Sequence, residues 1–406
     1  MKLSILAVSN EYKDNTNIQN CISQMETFSG KAAGVCYMKD EYFGTYVSDS
    51  KKAEKRFDRV ISTGHHSISD HSFISVLFED MPKMTAMILN SLGFYNTSEK
   101  SGRYTVMHGA EKNVELYNKW YNIFYKKIYE YDTNIDTQKD GTQDDTLRKK
   151  LALENARYML SVFDCGTTMV YTTSLRIWSY IVSMCDNYID NSNIDTLFNS
   201  ELLRCVKDLR NKIVECGCYS KKIVDNKHRT FNFLSRQIGF NIYEANERYD
   251  DAYLVKYKAS FACLAQLQRH RTLDYFMDFD GRNIKFYVPK LLERTDTALE
   301  KEWLDDLHQI KDTFPNATLV DIIETGLITN FMLKCDERLC GRTQLETFEN
   351  VSNNLYKFAR SWDKSPFTIS QLDRHIRDGK LIMKCGNIRC KEPCYWGPIK
   401  SQNKLI

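Results

Sequence analysis

Short hydrophobic runs typical of β-strands alternate along the chain with segments whose hydrophobic residues follow helical spacing. The chain opens on a short apolar stretch, Leu3 to Val8, which predicts a first β-strand rather than an export signal. A second run of this kind, Ser72 to Phe78, is followed by Asp80 and Met81-Pro82, which predict a helix with Pro82 in its first turn. The same strand-to-helix pattern returns at Tyr253 to Gln268, about half a chain later. This recurrence indicates an internal duplication.

The longest polar interruption, Asp132 to Thr146, predicts a surface loop between two helices. Helical spacing is found on both sides of it, over Leu116 to Tyr131 and Leu147 to Leu160. In the later strand-to-helix pattern, Gln266, Arg269 and His270 follow i, i+3, i+4 spacing, so we expect them on one helix face. The charged segment Arg338 to Glu346 is likewise interpreted as part of one helix.

Composition narrows the class of protein. The 406 residues are 42% hydrophobic and 12% aromatic, which provides a large core and excludes disordered and fibrous proteins. Lys+Arg 56 against Asp+Glu 53 gives a charge of +3, which does not favour a nucleic-acid or membrane-surface partner. No apolar run is long enough to cross a bilayer. The 13 cysteines, without an export signal, predict a cytoplasmic protein without disulfides.

Two loops carry candidate chemistry in the first half. Gly64 to His71 contains three histidines and an aspartate, which could bind a metal or simply form a turn before a strand. Ser101, Gly102 and Arg103 could cradle a phosphate, because they combine a hydroxyl, a flexible backbone and a guanidinium. Any exposed loop could contain the second pattern, so neither loop is decisive alone.

Three further groups are also ambiguous individually. Arg269, His270 and Arg271 could stabilise the end of a helix dipole or clamp a nucleotide or flavin. Arg176 opens a helix after Thr172 and could be a solvated side chain. The C-terminal cysteines Cys385, Cys390 and Cys394 allow a zinc site as a minor alternative, although their spacing is not that of a standard zinc knuckle. We therefore expect no metal.

Together, these motifs resemble the flavin-dependent thymidylate synthases, in two consecutive copies. The first copy, residues 1–222, has the family's histidine turn, its Glu-x-Ser-x-Arg-Tyr element, an acidic-Asn-Ala-Arg-Tyr helix and a Thr-x-Asn-x-Arg element with serine in place of asparagine. These are Gly64, His65, Ser67, Asp70 and His71; Glu99, Ser101, Arg103 and Tyr104; Glu154 to Tyr158; and Thr172, Ser174 and Arg176. The family's Arg-His-Arg triplet is missing, since Ser91-Leu92-Gly93 stands in its place.

The second copy, residues 223–406, has the complementary elements. Gln266 and Arg269 to Arg271 match the family's Gln-x-x-Arg-His-Arg, and Arg338 to Glu346 match its Arg-Leu-Cys-x-Arg-Ala-Gln-x-Glu segment, with Thr343 for alanine. Asp274 stands where the signature has serine, and the Arg of the Thr-x-Asn-x-Arg element would fall at Thr329. Each copy has thus kept a different half of the family's site.

The resemblance implies a fold and an activity. The fold is α+β, with two tandem domains, each a mainly antiparallel sheet packed with helices. The activity is transfer of a one-carbon unit from methylenetetrahydrofolate to C5 of dUMP or a related pyrimidine deoxynucleotide, with FAD as cofactor and NADPH as reductant. Because the family's sites combine residues of neighbouring subunits, we expect composite sites and a homodimer.

The resemblance also assigns roles to residues. The catalytic residues are Arg176, Arg269 and Ser101. The FAD-binding residues are His65, Ser67, Asp70, Arg269, His270 and Arg271. The nucleotide-binding residues are Glu99, Ser101, Arg103, Tyr104, Arg176, Gln266 and Arg269.

Two alternatives stay open at this point. The enzyme could leave a hydroxymethyl group on the pyrimidine, since Lys100, Ser174 and Asp274 depart from the family pattern. The chain could also be a non-catalytic nucleotide-binding protein on a decayed scaffold. Complementary retention of the two half-sites argues against decay.

Overall fold

The computed structural model describes most of the chain. The described residues are 1–9, 17–37, 49–137, 141–164, 166–225, 229–234, 251–360, 364–385, 390 and 394–406. The strands in these ranges are β1 (Lys2–Val8), β2 (Phe73–Pro82), β3 (Asn96–Glu99), β4 (Gly166–Ser174), β5 (Ala252–Ser260), β6 (Asp274–Asp278), β7 (Leu319–Leu327), β8 (Ile376–Arg377) and β9 (Lys380–Leu381). The α-helices are α1 (Ile18–Gly34), α2 (Ser50–Ser62), α3 (Lys83–Leu89), α4 (Glu111–Tyr131), α5 (Thr146–Ala156), α6 (Leu175–Asn191), α7 (Leu197–Cys216), α8 (Phe261–Leu267), α9 (Lys290–Thr295), α10 (Thr297–Gln309), α11 (Ile328–Arg338), α12 (Leu345–Arg360), α13 (Pro366–Leu372) and α14 (Gly397–Gln402).

The chain divides into two compact units, neither of which is continuous in sequence. Unit 1 comprises Met1–Lys100 and Gly166–Phe231, and unit 2 comprises Ser101–Cys165 and Asn232–Ile406. This division follows spatial packing, whereas the predicted copies, 1–222 and 223–406, describe a duplication. That duplication and its boundary stay a prediction.

Unit 1 is built on an antiparallel sheet with the strand order β1-β2-β4-β3. Along β2 buried residues alternate with half-buried ones, and Ile74, Val76 and Phe78 are fully buried. Ser174 is both the last residue of β4 and the N-cap of helix α6. Its backbone is extended, and its hydroxyl accepts a hydrogen bond from the Ile177 N–H. This cap places Arg176 in the first turn of α6, at the end of a central strand.

Unit 2 contains a second antiparallel sheet, with the strand order β5-β7-β6. Ser260 ends β5 and caps α8 through the Cys263 N–H, as Ser174 does for α6. Away from the sheet, Trp120 and Trp303 meet edge to face with their ring centroids 4.8 Å apart, inside a core that also contains Phe124. This core fixes α4 and α10, so the segment before β4 packs with elements that follow β5.

The two sheets share a topology. Along the chain, β2, α3 and β3 are followed by two helices and β4, and the strands pair in the order β2-β4-β3. Later, β5, α8 and β6 are followed by two helices and β7, and the strands pair in the order β5-β7-β6. Thr329 is the second residue of α11, as Arg176 is of α6. Such a match is what a duplication predicts.

The fold class is confirmed as α+β with antiparallel sheets. The strands predicted near Leu3–Val8 and Ser72–Phe78 are present, and so are helices on both sides of the 132–146 loop. None of the described helices combines the length and apolar character that a bilayer crossing needs.

Three local predictions are wrong. Met81 and Pro82 belong to β2, where they pair with β4, so the helix begins at Lys83 instead. Helix α8 ends at Leu267, so Arg269 and His270 lie in the turn after it rather than on its face. The segment Arg338 to Glu346 joins the end of α11 to the start of α12 instead of forming one helix. In the last two cases the side chains predicted to form the site lie in turns, where periodicity carries no information.

Candidate active site

In unit 1 the structure brings three predicted residues together. The Ser174 hydroxyl donates to Asp70 Oδ1 at 2.6 Å, and Arg176 Nε donates to the same oxygen at 2.9 Å. Arg176 Nη2 also pairs with Asp70 Oδ2. Because the guanidinium is held at two points, Asp70 fixes its orientation at the start of α6.

The histidine turn forms a 3₁₀ helix, His66–His71, before β2. His65 and Ser67, predicted to bind FAD, are exposed, whereas His66 is buried. The His66 Nδ1 atom is 3.0 Å from the Tyr180 hydroxyl and 3.9 Å from Asp225 Oδ2. The turn therefore anchors itself through His66 and leaves His65 and Ser67 accessible.

Glu99 lies at the end of β3 with its carboxylate almost fully buried. Lys83 Nζ pairs with Oε1, and the Asn90 side-chain amide donates to Oε2 at 3.4 Å. The Thr167 hydroxyl also donates to Oε1 at 3.3 Å. These contacts fix the end of β3, from which the chain continues to Ser101.

Arg103 belongs to unit 2. Its Nε donates to Glu154 Oε2 at 2.5 Å, and its Nη2 donates to the backbone carbonyl oxygen of Arg342 at 2.7 Å. The Ser101 carbonyl oxygen accepts hydrogen bonds from two backbone N–H groups, and its hydroxyl accepts one from the Arg103 N–H at 3.3 Å. The predicted phosphate loop is thus a hydrogen-bonded turn, whereas Tyr104 beside it is 61% exposed.

The turn after α8 carries Arg269, His270 and Arg271. Burial, together with the positive charges of Arg338 and Lys334, lowers the pKa of His270 to about 2, so the imidazole is neutral. Among the described residues, the buried His270 Nε2 has no hydrogen-bond partner. An orphaned buried nitrogen of this kind indicates a place for a polar ligand atom.

Arg338, at the end of α11, connects this turn with Arg103. Burial lowers the pKa of the Arg338 guanidinium, and the positive charges of Arg103 and Arg269 lower it further. Its Nη2 lies 3.5 Å from the carbonyl oxygen of Gln266, and within the described ranges its buried Nε has no partner. Arg103 and Arg269 therefore both lie within electrostatic range of Arg338, an arrangement that favours an anionic ligand.

A buried network supports these arginines. Arg157 Nη2 donates to Gln344 Oε1, the Gln344 amide donates to the Tyr158 hydroxyl at 2.6 Å, and Tyr158 donates to Glu346 Oε2 at 2.5 Å. Glu346 also accepts bonds from the backbone N–H and the hydroxyl of Ser260, at 2.8 and 2.6 Å. Burial raises the pKa of Glu346, while these donors oppose the shift. The network ties the β5–α8 junction to the α11–α12 turn.

The sequence motifs assign no role to two residues of this network, Arg157 and Ser260. A serine directly before an apolar helical stripe is the signal of a helix N-cap and would have identified Ser260. The predicted Gln266 is present beside the network, where its Oε1 accepts a hydrogen bond from the Thr347 hydroxyl at 2.8 Å.

The cysteine-rich end gives no support to the zinc alternative. Over the ranges that the structure describes, no three His, Cys, Asp or Glu side chains are grouped so that they could bind a metal ion. Cys385 is buried, with its sulfur 3.6 Å from the Ser401 hydroxyl, and Cys390 and Cys394 are half-buried. Cys385 therefore packs as a buried thiol in this part of unit 2.

A comparison with protein families matches a large segment of the chain. The sequence model of the family described as thymidylate synthase complementing protein matches residues 20–199. The resemblance is confirmed for this segment. The matched segment contains the histidine turn, Glu99 to Tyr104 and Arg176, and extends over parts of both units. A search among curated proteins finds no significant match.

Solved structures give similarities at low identity. Thymidylate synthase X from Helicobacter pylori, solved with FAD and dUMP, is 13% identical, with a TM-score of 0.31, covering 55% of this chain and 96% of that chain. The UMP/dUMP methylase PolB from Streptomyces cacaoi, bound with 5-Br dUMP, is 11% identical, with a TM-score of 0.31, covering 53% of this chain and 90% of that one. The similarities extend over about half of the present chain.

Proposed function

We propose that this chain is a flavin-dependent enzyme that transfers a one-carbon unit from methylenetetrahydrofolate to C5 of dUMP or a related pyrimidine deoxynucleotide. The observation that carries the proposal is the arginine cluster of unit 2. Arg103 of the matched segment, residues 20–199, and Arg269 of the later Arg-His-Arg triplet both lower the pKa of the Arg338 guanidinium through their positive charge. Arg103 and the triplet, which come from separate parts of the chain, thus belong to one compact unit.

The residues of this cluster suit FAD. Its diphosphate needs cations, which Arg269 and Arg271 offer, and its ring edge needs hydrogen-bond partners, which the orphaned Nε2 of His270 and Nε of Arg338 offer. Bound FAD, reduced by NADPH, would supply the hydride that completes the methyl group. His270 stays neutral near pH 7, so it can hydrogen-bond the flavin without adding charge.

The nucleotide is assigned to the neighbouring residues. Ser101 and Arg103 would hold its phosphate by charge-assisted hydrogen bonds, and Gln266 and Arg269 would orient its base. Glu154 contributes indirectly, because it fixes the Arg103 guanidinium. For Arg176, which belongs to unit 1, we propose the role that the resemblance implies, contact with a pyrimidine carbonyl, where negative charge grows as C5 becomes nucleophilic. Asp70 holds that guanidinium in one orientation, so less ordering is needed when substrate binds.

The test begins with the purified full-length chain. A flavin absorbance spectrum is expected, together with conversion of dUMP to thymidine monophosphate in the presence of methylenetetrahydrofolate and NADPH, followed by mass spectrometry. Arg269→Gln should abolish product, whereas Arg282→Gln, an exposed arginine of the same unit, should retain it. A colourless protein that takes up no added FAD would overturn the proposal.

The mass of the product also tests the second candidate function. Asp274 and Ser174 depart from the family pattern, and a hydroxymethylated nucleotide is the product that an altered final step would leave. If that mass is found, the flavin and folate assignments stand. The final step is then release of the hydroxymethyl product instead of reduction to the methyl group. Nucleotide binding without any product would favour the non-catalytic alternative.

A further inference from the structure

A cavity of about 800 Å³ lies within unit 2, between α4, α5, the α11–α12 turn and the C-terminal segment. We call it the α4–α5 cavity; its walls include Tyr117, Tyr121, Lys150, Arg342, Trp396 and Lys404. Its volume is within the range of about 300–1,000 Å³ that small-molecule sites occupy. It is therefore large enough for a ligand of nucleotide size.

Aromatic side chains form much of its wall. Tyr117 and Tyr121 are one turn apart on α4, and Tyr104, Tyr395 and Trp396 also line the cavity. Tyr395 and Trp396 meet edge to face, with their centroids 5.5 Å apart. Flat side chains on several walls are suited to stack on a planar ring.

The charges on the wall are mostly positive. The wall holds two carboxylates and five cations: Asp144 and Glu154, and Arg103, Lys149, Lys150, Arg342 and Lys404. Arg103 pairs with Glu154, and Lys149 pairs with Asp145, outside the cavity, at 3.0 Å. Lys150 Nζ lies 4.3 Å from the centroid of the Tyr104 ring. Within the described part of the chain, neither Lys150 nor Lys404 has a carboxylate partner at ion-pair distance, so both leave positive charge available to an anion.

The Lys404 side chain is buried and held in place by hydrogen bonds. It is only 7% exposed, and its Nζ donates to the carbonyl oxygens of Gly341, at 3.0 Å, and Thr343. Burial lowers the pKa of Lys404 to about 8, so the group is still mostly protonated at pH 7. These hydrogen bonds tie the C-terminal segment to the turn that carries Arg342, and so fix Lys404 beside that turn.

We propose that the α4–α5 cavity binds a planar heteroaromatic molecule that carries an anionic group, with the ring on the tyrosine wall and the anion near Lys150 and Lys404. A nucleotide and a folate share this chemistry. The inference goes beyond the proposed function, because it concerns a second site, which shares only the wall residues Arg103 and Tyr104 with the residues assigned to the nucleotide.

Isothermal titration calorimetry of the purified full-length chain tests this proposal with two probes, thymidine 5′-triphosphate and 5-formyltetrahydrofolate. We expect one of them to bind, and Lys150→Gln and Tyr121→Leu each to weaken that binding about tenfold. Tyr121→Phe keeps the ring and should bind like the wild type. The controls Lys126→Gln and Tyr129→Leu change exposed residues of α4 outside the cavity and should bind unchanged.

The probe that binds identifies the source of the ligand. Failure of both probes to bind the wild type would overturn the proposal, and so would cavity variants that bind as tightly as the controls. None of these variants alters Ser101, Arg103 or Arg269. Flavin content and product formation therefore test the proposed function separately.

Discussion

The Arg103 guanidinium donates a 2.7 Å hydrogen bond to the carbonyl oxygen of Arg342, a residue 239 positions away in sequence. The same guanidinium pairs with Glu154, whose side chain is 3% exposed. Arg103 is therefore held from two sides within unit 2. Its geometry depends on residues of both halves of the chain, and this dependence leads to the first prediction.

Arg103 and Arg271 are expected to serve different ligands. Arg103→Ala should weaken dUMP binding by about 1.5–3 kcal/mol, because a charge-assisted phosphate contact is lost, and should change FAD binding little. Arg271→Ala should instead lower flavin occupancy. Calorimetric titration with dUMP and the flavin absorbance of each purified variant measure the two effects.

A control is needed because Arg103→Ala leaves the Glu154 carboxylate without its partner. Arg103→Ala combined with Glu154→Gln removes that buried charge and should show the same loss of dUMP binding with a smaller loss of stability. If Arg103→Ala and Arg271→Ala affect the two ligands alike, the assignment of separate half-sites is wrong.

One complete set of site residues per chain predicts one FAD per chain. We also expect a homodimer, which would then bind two FAD molecules rather than the four that four unmodified family domains would bind. Flavin titration combined with sedimentation velocity measures both quantities. Saturation at two FAD per chain would contradict the composite site, and a stable monomer at micromolar concentration would contradict the dimer.

Lys334 and Glu324 form an ion pair whose side chains are both fully buried. Lys334 Nζ donates to both carboxylate oxygens at 2.6 Å, and the Tyr257 hydroxyl donates to Oε2 at 2.6 Å. Lys334→Met should lower the free energy of unfolding by about 3–5 kcal/mol, because it leaves a buried carboxylate unpaired. Adding Glu324→Leu should recover most of that loss.

The matched control is an exposed pair in the same sheet. Lys258 Nζ lies 2.9 Å from Asp321 Oδ2, and the two side chains are 49% and 37% exposed. Lys258→Met should change the free energy of unfolding by less than about 1 kcal/mol. Urea denaturation followed by circular dichroism compares the variants, and equal losses in Lys334→Met and Lys258→Met would refute the burial argument.

His270 predicts a pH dependence of stability. Its pKa is about 2 in the folded chain and about 6.5 when unfolded, so between these values the unfolded state binds more protons. The contribution of the neutral His270 to the free energy of unfolding is fully present above the pKa of the unfolded state. It falls as the pH drops below that pKa. The loss reaches about 1.4 kcal/mol per pH unit at most. His270→Gln should therefore flatten the decline in unfolding free energy between pH 7 and pH 5.

The same substitution at His108, which is exposed, provides the control. His108→Gln should leave the slope of the wild type unchanged, because this side chain is exposed. Urea titrations at pH 7, 6 and 5 give the slopes, and identical slopes for the wild type and His270→Gln would show that His270 is not buried as a neutral group.

Gly341 is expected to be required for docking of the C-terminal segment. A Cβ atom at this position would lie 2.5 Å from the Trp396 Cβ and closer still to the Ser401 hydroxyl. Gly341→Ala should therefore displace residues 394–406 and expose them to protease. Limited proteolysis with mass spectrometry checks this, and Gly93→Ala, where the added Cβ has no neighbour within 4 Å, should digest like the wild type.

The sequence by itself determined the local elements. Alternating and helical spacing located the strand-to-helix units, and the motifs identified Ser174 and Arg176 at the start of a helix. Such predictions succeed because strands, helices and caps depend on residues a few positions apart. They fail at Arg269 and His270, because turns lack periodicity and the end of α8 is not marked by glycine or proline.

Only the tertiary structure decided which side chains meet. No spacing rule indicates that Arg103 contacts Arg342, that Ser260 donates to Glu346, or that Lys404 reaches the carbonyl of Gly341. These contacts form because the aromatic core around Trp120 and Trp303 packs the segment before β4 against elements that follow β5. Burial of that core is a property of the whole unit, so the site depends on packing that no local pattern contains.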